Sequence, residues 1–191
     1  DFTVTSFKFY IHNVQLGSLT GNASVNTGEA HALIDFDAAK ENTVIAGVVP
    51  EGRYRLLSFY IGVDSVRNFS GAQTGALDPL HGMCWTWNSG YIMAKMEGAS
   101  DFAATPGNTL EYHIGGFSGE QNVVKKVTLL FPEEKEISEK ITISINANIL
   151  KWFSGNYDIR IAENPVCMAP GELAVKIAAN YANMFTIEEV K

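Results

Sequence analysis

The chain has 191 residues, of which 46% are hydrophobic, 18% charged and 11% aromatic. This composition is typical of a folded globular protein and excludes an intrinsically disordered chain, and no apolar run approaches the ~20 residues of a membrane-spanning helix. Fourteen Lys and Arg against 21 Asp and Glu give a net charge of −7. Because the few basic residues are scattered, neither nucleic acid nor an anionic membrane surface is an expected partner.

The organisation of the chain is that of one unit. No linker, charge block, low-complexity tract or internal repeat divides it, and we predict a single domain over residues 1–191. The sequence opens at Asp1 without a Met or an apolar leader, which we interpret as the start of a processed or truncated product. The two cysteines, Cys84 and Cys167, fit one disulfide or two free thiols.

Most segments carry the two-residue period of β-strands. Phe7, Phe9 and Ile11, for example, alternate with Lys8, Tyr10 and His12. Strands are predicted at residues 7–16, 31–37, 43–49, 53–63, 91–96, 109–114, 123–131, 141–150, 157–162 and 185–190. A helical period begins only after Pro170-Gly171, which predicts one short helix near residues 171–183. The pattern favours an all-β fold, an antiparallel β-sandwich or nearly closed barrel with one short late helix.

A long segment rich in Gly, Ser, Asn and Asp, at about residues 64–90, interrupts this rhythm and ends in Trp85 and Trp87. Loops of this length inside compact domains are usually functional. The two tryptophans share a parity, so on an extended segment they lie on one face. We predict that both are at least half buried and close one end of the sandwich, because large aromatic side chains drive packing.

The common catalytic patterns are absent from the sequence: the Gly-x-Ser-x-Gly elbow, the P-loop, the dinucleotide fingerprint and His-Glu-x-x-His. Asp35 and Asp37 share one strand face and could hold a metal, although hydrogen bonding to a neighbouring loop is the commoner role. We therefore expect a protein that is not an enzyme.

Four segments, taken in order, carry a resemblance to a known family. They are Phe-Tyr-Ile-His-Asn-Val at residues 9–14, Leu-Ile-Asp-Phe-Asp at 33–37, Gly-Met-Cys-Trp-Thr-Trp-Asn-Ser-Gly-Tyr at 82–91 and Tyr-His-Ile-Gly-Gly at 112–116. Together they resemble the MbnP-like family, the secreted copper-binding proteins associated with methanobactin systems and their bacterial relatives. The resemblance runs from about residue 7 to residue 116, and Trp-x-Trp is its most specific part.

The resemblance implies an exported, periplasmic or cell-envelope β-sandwich that binds copper, with a dihaem peroxidase-type enzyme as a partner. In some members histidines bind the metal together with a tryptophan oxidised to kynurenine, which makes Trp85 and Trp87 the candidate cofactor-binding residues. An intact indole offers no lone pair to a metal. Oxidative opening of the ring would leave an aryl amine and a carbonyl, which could bind copper.

The resemblance also ranks the histidines, whose imidazole rings are good copper ligands. His113, in the Tyr-His-Ile-Gly-Gly segment, is the first candidate metal ligand, and His31, just before Leu-Ile-Asp-Phe-Asp, is the second. The resulting hypothesis is a copper(I) site formed by His113 and His31 beside the tryptophans. His12 departs from the family pattern and is expected to be a surface histidine on an edge strand, and His81 is expected to face solvent.

Three alternatives stay open. Oxygen donors in the loop could bind calcium, although they lack EF-hand spacing and turns that cap their own backbone are the expected role; they are Asp64, Ser65, Asn68, Ser70 and Asp78. Export would permit a disulfide between Cys84 and Cys167, while a thiolate copper ligand is the other option. The alternative function is a metal-free cell-envelope β-sandwich domain that keeps the tryptophan loop for packing and presents it to a partner.

Overall fold

A computed structural model describes residues 1–18, 25–26, 31–38, 42–85 and 90–191. The strands of these ranges are β1 (Thr3–Gly17), β2 (Val25–Asn26), β3 (Ala32–Asp35), β4 (Gly52–Ile61), β5 (Ile92–Ala99), β6 (Thr109–Gly115), β7 (Lys125–Ile137), β8 (Ile143–Ala147), β9 (Val166–Cys167) and β10 (Phe185–Val190). The helices are α1 (Ser65–Phe69) and α2 (Glu172–Tyr181). The late helix predicted near residues 171–183 is therefore confirmed.

The strands form one large sheet and one small one. The large sheet has the order β7-β4-β1-β5-β6-β9, with β2 and β3 also paired to β1, and the small sheet pairs β10 with β8. The pairs are antiparallel except β6 with β9. The predicted antiparallel sandwich is confirmed, and among the described residues the path of the large sheet ends at β7 and β9 without closing into a barrel.

One face of β1 builds the main core. Phe7 and Phe9 are buried, and alternation along the strand points both to the same side. Phe9 meets Phe185 of β10 edge to face at 5.6 Å between ring centroids, and Phe7 meets Trp152 at 5.8 Å. Trp152 in turn packs on Tyr181 of α2 at 5.3 Å. The small sheet and α2 thus cover this face and exclude water from it.

The long loop covers Tyr10, which alternation assigns to the opposite side of β1 from Phe9. Tyr10 is fully buried, and its ring lies edge-on to Tyr91 at 5.8 Å. The loop orders itself with its own polar groups: the Asn68 amide donates to the Val63 carbonyl oxygen at 2.8 Å and accepts from the Tyr91 backbone N–H at 2.9 Å. Local hydrogen bonds therefore hold this loop, as the sequence predicted.

Two predicted strands are wrong, and the loop contains a helix that the sequence analysis missed. Residues 43–49 have no regular secondary structure and pair with no described strand, and Ile45 is 92% exposed. Residues 157–162 are irregular and lead into a turn, in which the Asn164 N–H donates to the Arg160 carbonyl oxygen. A β-branched or alternating run becomes a strand only where a partner strand accepts its backbone groups, and that partner is a tertiary feature. Helix α1 begins at the loop's first polar residue, where Asp64 is the N-cap.

Candidate metal site

Three strands bring a pair of histidines together. In the register of the sheet, His12 of β1 lies opposite Tyr60 of β4, and Ile11 lies opposite Ala32 of β3. His31 directly precedes Ala32, so it arrives beside His12. The chain leaving β4 turns at Gly62, whose φ of 108° suits glycine, and delivers Asp64 to the same place. His12, His31 and Asp64, here called the His12 cluster, are thus assembled from three separate segments.

The donor atoms of the His12 cluster lie within 4.8 Å of one another. Nε2 of His31 is 3.0 Å from Oδ2 of Asp64, and the His31 side chain is only 7% exposed. Nδ1 of His12 is 2.9 Å from the Gly62 carbonyl oxygen. Because a carbonyl only accepts, Nδ1 of His12 carries the proton and Nε2 holds the lone pair that a metal can use.

Both imidazoles are held in their neutral form. Burial lowers the pKa of His12 and outweighs the opposing effects of the Gly62 carbonyl and Asp64. Burial, reinforced by the neighbouring His12 and by Arg67, likewise lowers the pKa of His31 despite the attraction of Asp64. Neutral imidazole is the form that binds metal ions, so these two side chains need lose no proton on binding at neutral pH.

The imidazole rings are stacked rather than splayed. The ring centroids of His12 and His31 are 4.9 Å apart with an interplanar angle of 15°. The lone pair of an imidazole nitrogen lies in the plane of its ring, so two nearly parallel, overlapping rings cannot both point at one ion. The donor types and spacing of the His12 cluster fit a metal, but one ring must turn before both nitrogens bind the same ion.

The Asp64 carboxylate is fixed by a second role. Its Oδ1 accepts the Arg67 backbone N–H at 3.0 Å and caps α1, while Oδ2 faces His31. The Asp64 side chain is 36% exposed, so this donor lies on the solvent side of the cluster. Strand β4 before Asp64 and helix α1 after it therefore fix the position of the carboxylate.

The structure places His113 in a different cluster. Nε2 of His113 is 2.7 Å from Oε1 of Glu97, and the Lys95 ammonium is 2.9 Å from the same oxygen. These three residues are called the His113 cluster. Burial alone would raise the pKa of Glu97, but the hydrogen bonds from Lys95 and His113 outweigh it and lower that pKa.

The predicted pairing of His113 with His31 is not formed. His113 lies opposite Lys95 of β5, which lies opposite Lys8 of β1, whereas His31 lies beside His12. Four residues along a strand span ~13 Å, and adjacent strands are ~4.8 Å apart. Two nitrogens on one metal are no more than ~4 Å apart. The two histidines therefore belong to separate clusters.

Trp85 is buried, as predicted, at 8% exposure, and it packs on β6. Its six-membered ring lies over Gly115, where an added Cβ would overlap the ring atoms. His113 and Gly115 share a parity on β6, which puts Trp85 on the same face of that strand as His113. Trp87 lies outside the described residues.

Several remaining candidates have structural roles in the described chain. Cys84 and Cys167 are both free thiols, and the disulfide that export would permit is not formed. Asp78 caps the Leu80 N–H at 2.9 Å, one of the capping roles predicted for the loop's oxygen donors. Asp37 accepts from the Ser6 hydroxyl at 2.6 Å, the hydrogen-bonding role expected of it.

Sequence reasoning missed His12 and Asp64 as members of one site. The expectation for His12 is wrong: β1 is paired on both sides, and the ring is half buried between His31 and Tyr60. The alternation of β1 placed Tyr10 and His12 on one face, and burial of Tyr10 under the loop would have indicated that His12 is near it. That signal depends on where the loop folds, which the spacing of residues does not reveal.

The described helices include none that is both long and apolar enough to cross a membrane. Residues 1–169 match the sequence profile of the MbnP family. The solved structure of MbnP from Methylosinus trichosporium superposes with a TM-score of 0.50 at 18% sequence identity, over 90% of this chain and 75% of that chain. At this identity the structural likeness shows a shared fold alone. No curated protein matches the chain.

Proposed function

Because the chain belongs to the MbnP family, we propose that it is an exported copper-binding protein that binds or delivers copper through His12, His31 and Asp64. The observation that supports this site most directly is the convergence of two neutral imidazoles and a carboxylate, with donor atoms within 4.8 Å. A periplasmic or cell-envelope location, an oxidised tryptophan and a dihaem peroxidase-type partner are proposed on family membership.

The donor set favours copper(II) over the copper(I) predicted from the sequence. Two nitrogens and a carboxylate oxygen suit copper(II), whereas copper(I) is selected by thiolate and thioether sulfur. Copper(II) also exceeds other divalent first-row ions in affinity for such donors. Zinc is the main competitor, since it accepts the same ligands.

Delivery is a better description than storage. Binding must separate the stacked rings of His12 and His31, which costs part of the free energy of coordination. Asp64 is partly exposed, so a ligand from solvent or from a second protein can approach the ion on that side. Both features favour an ion that exchanges.

The tryptophan hypothesis concerns the His113 cluster. Trp85 lies on the face of β6 that carries His113, so an oxidised Trp85 would place an amine and a carbonyl near that histidine. An intact mass above the sequence mass, for protein purified from its native host, would be the expected sign of oxidation. Peptide mapping would then distinguish Trp85 from Trp87.

A metal-free interaction domain is the second candidate function. Its supporting observation is the apolar surface of the loop, where Val66 and Phe69 of α1 are 72% and 76% exposed and Leu80 is 93% exposed. Exposed apolar side chains clustered on one loop are typical of surfaces that contact a partner. Copper stoichiometry distinguishes this function from the first.

The test is a copper(II) titration in competition with a chromogenic chelator. The wild-type protein should bind one equivalent, and a variant carrying His12→Ala and His31→Ala should lose that equivalent. His81→Ala is the matched control, because His81 is an exposed histidine of the same chain outside the cluster. Absence of binding by the wild type, or undiminished binding by the double variant, would exclude this site and favour the interaction domain.

A further inference from the structure

Tyr60 is in contact with the proposed site through the face of its ring. Its ring stacks on His12 with centroids 5.3 Å apart and an interplanar angle of 25°. On its other side, the ammonium of Lys126 lies 5.9 Å from the centroid of the Tyr60 ring. The register makes this a continuous row across three strands, because His12 of β1 lies opposite Tyr60 of β4 and Tyr60 lies opposite Lys126 of β7.

His12 is consequently restrained at two points. Its Nδ1–H donates to the Gly62 carbonyl oxygen, which fixes the ring edge, and Tyr60 supports one face of the ring. Gly62 itself is confined, since its N–H donates to the Tyr10 carbonyl oxygen at 2.8 Å. A Cβ at Gly62 would also press on Met93 and Val124. The carbonyl that holds His12 therefore belongs to rigid backbone.

In the described part of the chain, His31 has fewer restraints than His12. One face of its ring meets His12, and its Nε2–H faces the Asp64 carboxylate. A metal ion bound to the same two atoms would replace this contact, with the imidazole proton moving to Nδ1. Turning His12 would break its hydrogen bond to Gly62 and its stack on Tyr60, whereas the ring stack and the carboxylate contact that His31 makes with described residues both lie within the cluster. Rotation of the His31 ring therefore breaks fewer of these contacts than rotation of the His12 ring.

We infer that Tyr60 is a positioning residue for the metal site: with the Gly62 carbonyl it holds His12 as the fixed ligand, and His31 turns out of the stack to complete the site. This rests on the proposed function. The role extends the general behaviour of metal-binding histidines, whose ring orientation is fixed by a neighbouring group on the second nitrogen. Loss of such a neighbour typically weakens metal binding by about 10- to 100-fold.

Zinc(II), which is diamagnetic, allows proton NMR to follow both rings during loading. In the metal-free wild type, nuclear Overhauser contacts should link His12 to Tyr60 and His12 to His31. On saturation with zinc the contact between His12 and Tyr60 should persist, and the contact between His12 and His31 should weaken or vanish. Loss of the His12–Tyr60 contact, with His12–His31 retained, would overturn the inference without any variant.

Two substitutions test the positioning role. Tyr60→Phe keeps the stacked ring and should bind copper(II) within about twofold of the wild type. Tyr60→Leu removes the ring and should bind about 10-fold more weakly, with a broadened copper(II) electron paramagnetic resonance spectrum. Thermal melts establish that both variants fold.

The outcomes separate the two proposals. If the wild type binds copper(II) or zinc(II) at the His12 cluster but Tyr60→Leu binds as tightly and with the same spectrum, only the positioning role is overturned. If the wild type binds neither ion, the proposed function itself fails. Rescue of affinity and spectrum by Tyr60→Phe, but not by Tyr60→Leu, supports the stacking role and excludes one that depends on the hydroxyl.

Discussion

The His12 cluster and the His113 cluster both pair a histidine with a carboxylate on the same sheet, but they differ in the charge of the third group. Each places a histidine with a largely buried side chain beside a carboxylate at 3.0 Å or less. In the His113 cluster, the oxygen of Glu97 that faces the histidine also binds the Lys95 ammonium. In the His12 cluster the second group is another neutral imidazole. The lysine of the His113 cluster thus forms an ion pair with the carboxylate. The second histidine of the His12 cluster leaves the donor atoms free of a positively charged partner within the cluster.

This difference decides which cluster can accept a cation at least cost. An ion at Glu97 would have to displace the Lys95 ammonium, which breaks an ion pair in a partly buried site. The ion would also stay close to that ammonium, and the two positive charges would repel each other. Among the residues that the structure describes, an ion at Asp64 displaces no lysine or arginine from the carboxylate. A histidine next to a carboxylate is therefore weak evidence for a metal site until the third group is known.

The largest effect expected from this comparison is on copper affinity. His31→Ala removes a ligand of the His12 cluster and should weaken copper(II) binding by about 100-fold or more, beyond the loss typical of a supporting residue. His113→Ala should change the affinity by less than about twofold. Chelator competition on the two variants measures both. A greater loss in His113→Ala would return the site to the residue first chosen from the sequence.

The two carboxylates supply the next test. Asp64→Asn keeps an oxygen that can cap α1, since Asn is as good an N-cap as Asp, but it removes the charge that a cation needs. Copper(II) affinity should fall about 10-fold, or ~1.4 kcal/mol, with little change in the free energy of unfolding. The measurements are chelator competition and urea unfolding.

Glu97→Gln is the matched substitution in the His113 cluster and should show the opposite profile. It leaves the half-buried Lys95 ammonium without its partner and should lower the free energy of unfolding by about 1 kcal/mol, an estimate reduced for the partial exposure of Glu97. Copper(II) affinity should stay within about twofold. If Asp64→Asn destabilises the fold and Glu97→Gln weakens copper binding, the assignments of the two clusters are reversed.

The sequence predicted the fold better than the site, for a physical reason. Alternation at Phe7 and Phe9 and the helical period ending at Tyr181 report local preferences reinforced by burial, and both appear in the structure. The His12 cluster depends on register and on the turn at Gly62, which carries Asp64 back to the sheet. A shift of one residue in the pairing of β1 with β4 would turn His12 away from Tyr60.

Family resemblance added information of a different kind. It identified the family and selected His31, a member of the His12 cluster. It also directed attention away from His12, because that residue departs from the family pattern. Resemblance does not point to a residue outside the pattern it relies on, whereas the register of this sheet shows that His12 and His31 are neighbours.

The smallest expected effect is the acid dependence of metal-free stability. Burial lowers the pKa values of His12 and His31 in the folded protein, whereas the unfolded chain protonates near pH 6.5. Below that pH the unfolded state binds protons first. The free energy of unfolding should therefore fall as the pH drops below about 6.5 and level off below the folded-state pKa values.

Urea unfolding of the metal-free wild type at about pH 7.5 and about pH 5 measures this loss, with a variant carrying His12→Gln and His31→Gln as the control. Carboxylates with lowered pKa values, such as Glu97 and Asp37, contribute less to the free energy of unfolding in acid. This change is the same in both proteins and therefore cancels in the comparison. The wild type should lose more stability between the two pH values than the variant. An equal loss in wild type and double variant would mean that His12 and His31 have the same pKa values in the folded and the unfolded protein. Burial would then not hold these imidazoles neutral for a metal.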